Sequence, residues 1–112
     1  MVLSSIKLKK EFDLIYKRGR VSGGTFFSLR FLENRKREPS RFTIIISTKI
    51  SKKAVIRNRK KRQMREIVRL NFDKMKPNYL VLLTLKEESL GASYQDLEKE
   101  FLSLAKRAGI LI

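Results

Sequence analysis

The chain has no cysteine and no histidine. Without cysteine there is no disulfide, no thiol nucleophile and no thiolate metal site. Without histidine, the commonest general base and the commonest metal ligand are both missing. Acidic residues are scarce as well: 11 Asp plus Glu face 27 Lys plus Arg in 112 residues, a net charge of +16. The carboxylates are dispersed, as Glu11 and Asp13, Glu33, Glu38, Glu66, Asp73, Glu87 and Glu88, so none makes a convincing cage for a catalytic divalent ion. Asp96, Glu98 and Glu100 read as the solvated surface of a late helix. No apolar run approaches the roughly 20 residues needed to span a bilayer, and no signal-peptide core is seen. These absences argue against a self-sufficient hydrolase and a membrane-spanning protein, and point to the cytoplasm.

Charge and pattern remain. A chain of this length holds about one domain with a modest core, here expected as a single domain over residues 1–112. Hydrophobic residues make up 42%, which is ordinary for a globular protein and argues against wholesale disorder. The charge is uneven. Residues 1–78 hold 23 basic and 6 acidic residues, net +17, and residues 79–112 hold 4 and 5, net −1. The excess repels itself in the compact state unless a polyanion is near, so the polyanion surface is expected within the first two thirds.

No repeats or long linkers interrupt the elements. Ser4 or Ser5 can cap a first helix over about 6–17 that Gly19 ends, with Leu8, Phe12, Ile15 and Tyr16 at helical spacing. TFFSLRFL then alternates: Phe27, Leu29 and Phe31 face one way, and Phe26, Ser28, Arg30 and Leu32 the other. Val21 and Ser22 suggest a short strand before it. ENRKREPS, residues 33–40, reads as a polar hairpin-like loop with Arg35, Lys36 and Arg37 at its tip, and RFTIIIST as a further strand. YLVLLTL, continuous and apolar, reads as a central strand covered on both faces. Ser93 caps a last helix with Leu97, Phe101, Leu104 and Ala108 on its apolar side, ended by Gly109. The expected fold class is α+β: an about four-stranded mixed sheet packed with helices, in the order α-β-β-(β)-α-β-α.

The stretch AVIRNRKKRQMREIVR lies in a helix expected from about 52 to 72, with Ser51 as N-cap. Ile56, Met64, Ile67, Val68 and Phe72 form one stripe, and the stem of Lys60 can lie along it. Arg57, Lys61, Arg65 and Arg69 form an i, i+4 row beside the stripe, with Asn58 and Arg62 adjoining. Each Lys or Arg that meets a phosphate releases a counterion, and the planar fork of Arg suits phosphate oxygens. A basic amphipathic stripe can also lie on a membrane surface, but here the apolar side is matched to a sheet. A second surface can be argued where Phe12 and Tyr16 border the strand face carrying Ser28 and Arg30, a groove suited to unstacked RNA bases. The same aromatics also fit an ordinary core.

Three stretches in order, FDLIYKRG at 12–19, STKISKKAVIRNRKKRQMRE at 47–66 and NYLVLLTLK at 78–86, resemble the protein subunit of bacterial ribonuclease P over nearly the whole chain. The resemblance implies an RNA-based enzyme that removes the 5′ leader of precursor tRNA by Mg²⁺-dependent hydrolysis. In it the RNA is catalytic and holds most of the Mg²⁺, and the protein binds that RNA and the leader. By the same resemblance Arg57, Asn58, Arg59, Lys61, Arg62 and Arg65 form the face on the catalytic RNA. Phe12, Tyr16, Ser28, Arg30 and Lys49 belong to leader binding, and the crossover around the basic helix is a left-handed βαβ unit. The chain departs from the family pattern at Ile50 and Lys52, where Lys and Gly are usual, near Ile44, where a strand glycine is usual, and at Ser5-Ile6, where Arg-Leu is common. The alternative reading is a structural RNA-binding protein such as a ribosomal protein.

Overall fold

The computed structural model describes residue 6, residues 9–34 and residues 38–112. The chain runs α1 (Lys9–Arg18), β1 (Arg20–Gly23), β2 (Phe27–Glu33), β3 (Arg41–Ile45), α2 (Ala54–Asn71), β4 (Tyr79–Leu85) and α3 (Tyr94–Ala108). Short 3-10 turns occupy Phe72–Lys74 and Glu87–Gly91. The strands form one sheet in the order β1-β2-β4-β3. β1 with β2 and β2 with β4 are antiparallel, whereas β3 and β4 are parallel. The sheet is therefore mixed, and α2 is the crossover that joins its parallel pair. This is the α+β order expected from the sequence, including the short strand at Val21-Ser22.

β4 is the central strand, and its alternation serves two cores. Val81, Leu83 and Leu85 join Phe27, Leu29 and Phe42 from the neighbouring strands. Met64, Ile67 and Val68 of α2 and Leu97, Phe101 and Leu104 of α3 cover that face. Leu80 and Leu82 point the other way, into a smaller cluster with Ile6 and Ile15, flanked by Phe12, Leu32 and Ile45. A fully buried side chain of this size contributes about 1.5–3 kcal/mol. Met64, Ile67 and Val68 together thus secure α2 by several kcal/mol, enough to hold a strongly charged helix on the sheet.

Several expectations need correction. The segment 33–40 does not close a hairpin, because β4 inserts between β2 and β3 and takes the hydrogen bonds of both. The tip residues Arg35, Lys36 and Arg37 lie outside the described residues, as do Leu8 and the proposed caps Ser4 and Ser5. Ser51 is not the N-cap of α2. That position is Lys53, which makes no side-chain cap, and Ser51 Oγ instead accepts the Lys53 backbone N–H at 3.3 Å. Ile56 is only half-buried, whereas Asn71, absent from the expected stripe, is buried.

The three α3 acids read as solvated surface all have partners. Asp96 and Ser93 form a reciprocal capping box, and Glu98 accepts from Asn71 Nδ2 at 3.0 Å. Glu100 accepts the backbone N–H groups of Thr25, Phe26 and Phe27 at 2.7, 2.7 and 3.2 Å. The partners of Glu98 and Glu100 lie 27 to 75 positions away in the chain, so helical periodicity could not show them, whereas Ser93 is three residues from Asp96. Gly109 ends α3 as expected, in the left-handed conformation (φ 79°) that glycine adopts at no steric cost.

Candidate nucleic-acid interface

Between Lys49 and Arg65 the chain has nine basic residues and no acidic one. Eight of them lie outward or at the rim of the turn and of α2; the ninth is buried. Asn58, Arg59, Arg62 and Arg65 are exposed, while Arg57 and Lys61 are half-buried beside the seam with the sheet. Arg57 Nη1 donates to the Ser51 carbonyl at 2.6 Å, so it ties the first turn of α2 to the preceding loop. The first turn holds no acidic residue, although a helix N-terminus favours negative charge. Cations gathered at the positive end of a helix cost stability unless an anion joins them.

The cationic row is shorter than its spacing suggests. Arg69 forms a two-pronged ion pair with Glu66, its Nε donating at 3.0 Å and its Nη2 also bonded to the carboxylate. The hydrogen bond from Arg69 holds the Glu66 carboxyl below the usual carboxylate range. The free row therefore runs Arg57, Lys61, Arg65. Lys60 is the buried exception. Its whole side chain is packed away, not only the stem, and Nζ donates to the Ala92 carbonyl at 2.9 Å. Burial, and then the nearby charge of Arg59, push its pKa down.

Lys49 sits in the turn between β3 and α2, exposed, with its backbone N–H donating to Ser47 Oγ at 3.1 Å. Ile50, at the position where the family pattern has lysine, is half-buried against the main core, and its N–H donates to the Ser47 carbonyl at 3.0 Å. The turn is thus pinned by an apolar contact where the pattern would offer a charge.

The second surface forms where α1 crosses β2. On the sheet face away from the main core, Arg30 stands opposite Val21 on β1 and Leu82 on β4, and Ser28 stands opposite Gly23 and Thr84. Tyr16 is 51% exposed, and the Arg30 guanidinium lies over its ring, 4.9 Å from the centroid. Phe12 is half-buried against the smaller core. The structure therefore brings Tyr16, Arg30 and Ser28 to one surface and divides the pair of aromatics. Tyr16 is exposed, and Phe12 is packed in part against the smaller core. The Ser28 end of this surface is also the end at which β3 finishes, since Thr84 pairs with both Ser28 and Ile45. The loop to α2 starts there, so the basic turn and the surface of Tyr16, Arg30 and Ser28 share one end of the sheet.

Two anchors position the cleft, and neither has a sequence signature. Glu11 of α1 forms a bidentate ion pair with Arg41 of β3, one arm at 2.9 Å, which fixes α1 across the far end of the sheet. Glu100 gathers the three N–H groups that open β2, directly before Ser28. Gly24 is required there: a Cβ would stand 2.7 Å from the Glu100 carboxyl carbon and 2.8 Å from the Phe27 carbonyl oxygen.

Known proteins match this chain in both sequence and fold. A relative from Fusobacterium nucleatum, a ribonuclease P protein component, is 36% identical and aligns over 97% of this chain and all of its own length. One from Synechocystis, of the same description, is 32% identical over 96% of this chain and 88% of that protein. The solved ribonuclease P protein from Thermotoga maritima superposes with a TM-score of 0.82 at 26% identity, covering 93% of this chain and 96% of that one. The family model described as Ribonuclease P matches residues 3–109, and with that match the chain belongs to the ribonuclease P protein family.

Proposed function

We propose that this chain is the protein subunit of a cytoplasmic ribonuclease P, binding its catalytic RNA and the 5′ leader of precursor tRNA without performing the hydrolysis. The observation that carries the reading is the pairing of two unlike surfaces at one end of the sheet. In this reading Arg57, Asn58, Arg59, Lys61, Arg62 and Arg65 meet the phosphates of the catalytic RNA. Arg57 and Lys61 lie closest to the seam, and Arg59, Arg62 and Arg65 reach outward. Phe12, Tyr16, Ser28 and Arg30 receive the single-stranded leader, whose unstacked bases seek aromatic faces. Lys49 neutralises a phosphate where the two surfaces meet.

Mg²⁺ is assigned to the RNA. Phosphate oxygens and water suit the preference of Mg²⁺ for oxygen ligands in octahedral geometry. The protein assists indirectly, because its cations offset phosphate repulsion where leader and catalytic RNA converge. No helix among the described residues is long and apolar enough to cross a membrane.

The test is reconstitution with a bacterial ribonuclease P RNA at low Mg²⁺, following release of the leader from precursor tRNA. The protein is expected to stimulate cleavage strongly, and protein free of RNA to cleave nothing. Tight binding to that RNA without any stimulation would overturn the reading.

A further inference from the structure

We propose that Arg30 reads a guanine base in the leader, so that this protein prefers a guanosine at one leader position. The inference rests on the leader-binding reading above and gives it a base identity. Its starting point is an arginine without an acceptor. Arg30 is half-buried, and its guanidinium has an aromatic partner, Tyr16, but no carboxylate or carbonyl partner among the described residues. Two other basic side chains differ: Arg41 is bound by Glu11, and Lys86 Nζ donates to the Gly24 carbonyl. The fork of Arg30 has no such acceptor among the described residues, and its guanidinium rests on an aromatic ring.

The neighbours decide what the fork is for. Arg30 stands between Val21, 52% exposed, and the fully buried Leu82, with the Tyr16 ring against its guanidinium. A phosphate keeps its hydration and gains little from an apolar wall, whereas the flat face of a base is suited to one. The contact with Tyr16 also limits the planes in which the N–H edges can lie, which favours a planar, two-pronged partner. Guanine offers that partner, with adjacent O6 and N7 acceptors on one edge. On the same edge adenine places the N6 amino donor beside N7, cytosine presents the N4 amino donor, and uracil has a single O4 acceptor. On that edge the fork of Arg30 matches guanine; the competing match is cytosine through O2 and N3 of its Watson–Crick edge, which the cytidine control tests. In a single strand that edge is free to turn toward the protein.

The experiment uses the holoenzyme reconstituted from this protein and a bacterial ribonuclease P RNA. Substrates are precursor tRNAs with uridine leaders carrying one guanosine, walked along the leader, with adenosine and cytidine controls at each position. Guanosine is expected to tighten binding by about tenfold at one position. Replacing it there with 7-deazaguanosine, which lacks N7, should remove most of the gain. Arg30→Lys, which keeps the charge but not the fork, should make the four bases equal there. Equal affinity for all bases at every position would overturn the proposal, as would a guanosine preference that survives either 7-deazaguanosine or Arg30→Lys. The 7-deazaguanosine arm needs no protein variant, so a folding defect cannot mask the answer. Mature tRNA separates the two levels. If the holoenzyme fails to favour leader-bearing substrate at all, the leader-binding reading falls and the guanine assignment with it. If it favours leaders without regard to base, only the guanine assignment falls.

Discussion

The outer face of α2 presents Arg59, Arg62 and Arg65 with no carboxylate before Glu66, whereas the cleft beside α1 presents one guanidinium, Arg30, among Tyr16, Phe12 and Val21. Both are basic surfaces of one small protein, yet their physics differs. On α2 many exposed cations stand on a helix fixed by its opposite side, an arrangement that suits phosphate contacts, in which affinity comes from counterion release and is blind to sequence. In the cleft a single cation is held by an aromatic ring over an apolar floor, which suits bases and permits discrimination. The charge total alone would not separate these roles; what separates them is the number of unpaired cations and the polarity of their neighbours.

The comparison can be broken most forcefully at α2. Arg59→Ala combined with Arg62→Ala should weaken binding to the catalytic RNA by about 3 kcal/mol, from two lost charge-assisted contacts. The slope of log affinity against log salt should fall by roughly 1.8. A filter-binding salt series checks both, and an unchanged slope would remove α2 from the phosphate contacts. Next comes the anchor of the cleft. Glu100→Ala leaves three backbone donors without their carboxylate and should cost about 2 kcal/mol of stability in urea unfolding. At temperatures where the variant stays folded, leader-dependent affinity should drop while the salt slope stays put.

Tyr16→Ala is the sharper probe of the cleft itself, because Tyr16 is exposed and Phe12 helps fill the smaller core. It should reduce the affinity advantage of leader-bearing over mature tRNA by about 1.5 kcal/mol, with little change in melting temperature. Phe12→Ala should do both, and comparing the two variants divides packing from recognition.

The smallest effect tests whether every α2 cation belongs to the RNA face. Lys60 is buried on the inner side, with its pKa below the ordinary lysine value of 10.5. The unfolded chain then holds that proton more tightly than the folded one. Unfolding stability contributed by this group is lowest at neutral pH and rises as pH climbs through the folded pKa toward the unfolded one. Wild type should gain stability relative to Lys60→Met as pH rises from neutrality toward the ordinary lysine value, the gain being read from urea unfolding at each pH. The RNA salt slope of Lys60→Met should match wild type, unlike that of the Arg59/Arg62 variant.

Much of the scaffold was legible in the sequence because its signals are local. Period-2 alternation in TFFSLRFL, the uninterrupted YLVLLTL and the stripe of Met64, Ile67 and Val68 each dictate one element and its buried side. The Arg57-Asn58-Arg59 context also placed the cationic face. Local signals failed where a residue answers to a distant one. Ser51 looked like a cap, yet the chain enters α2 two residues later. Arg69 continued the cationic row by spacing, but Glu66 neutralises it. Ile50 breaks a charge pattern, and its side chain packs in part against the main core.

By itself, then, the sequence determined the elements, the α+β class, the demand for a polyanion and the family. The first three follow from composition and from periodicities that a few neighbouring residues define, and the family from three stretches that resemble it in order along the chain. The insertion of β4 between β2 and β3, the grip of Glu100 on the start of β2, the split of Phe12 from Tyr16 and the setting of Arg30 were decided only by the tertiary structure. Each depends on groups brought together across long stretches of chain, where hydrogen-bond satisfaction and packing choose among partners that local pattern leaves equivalent.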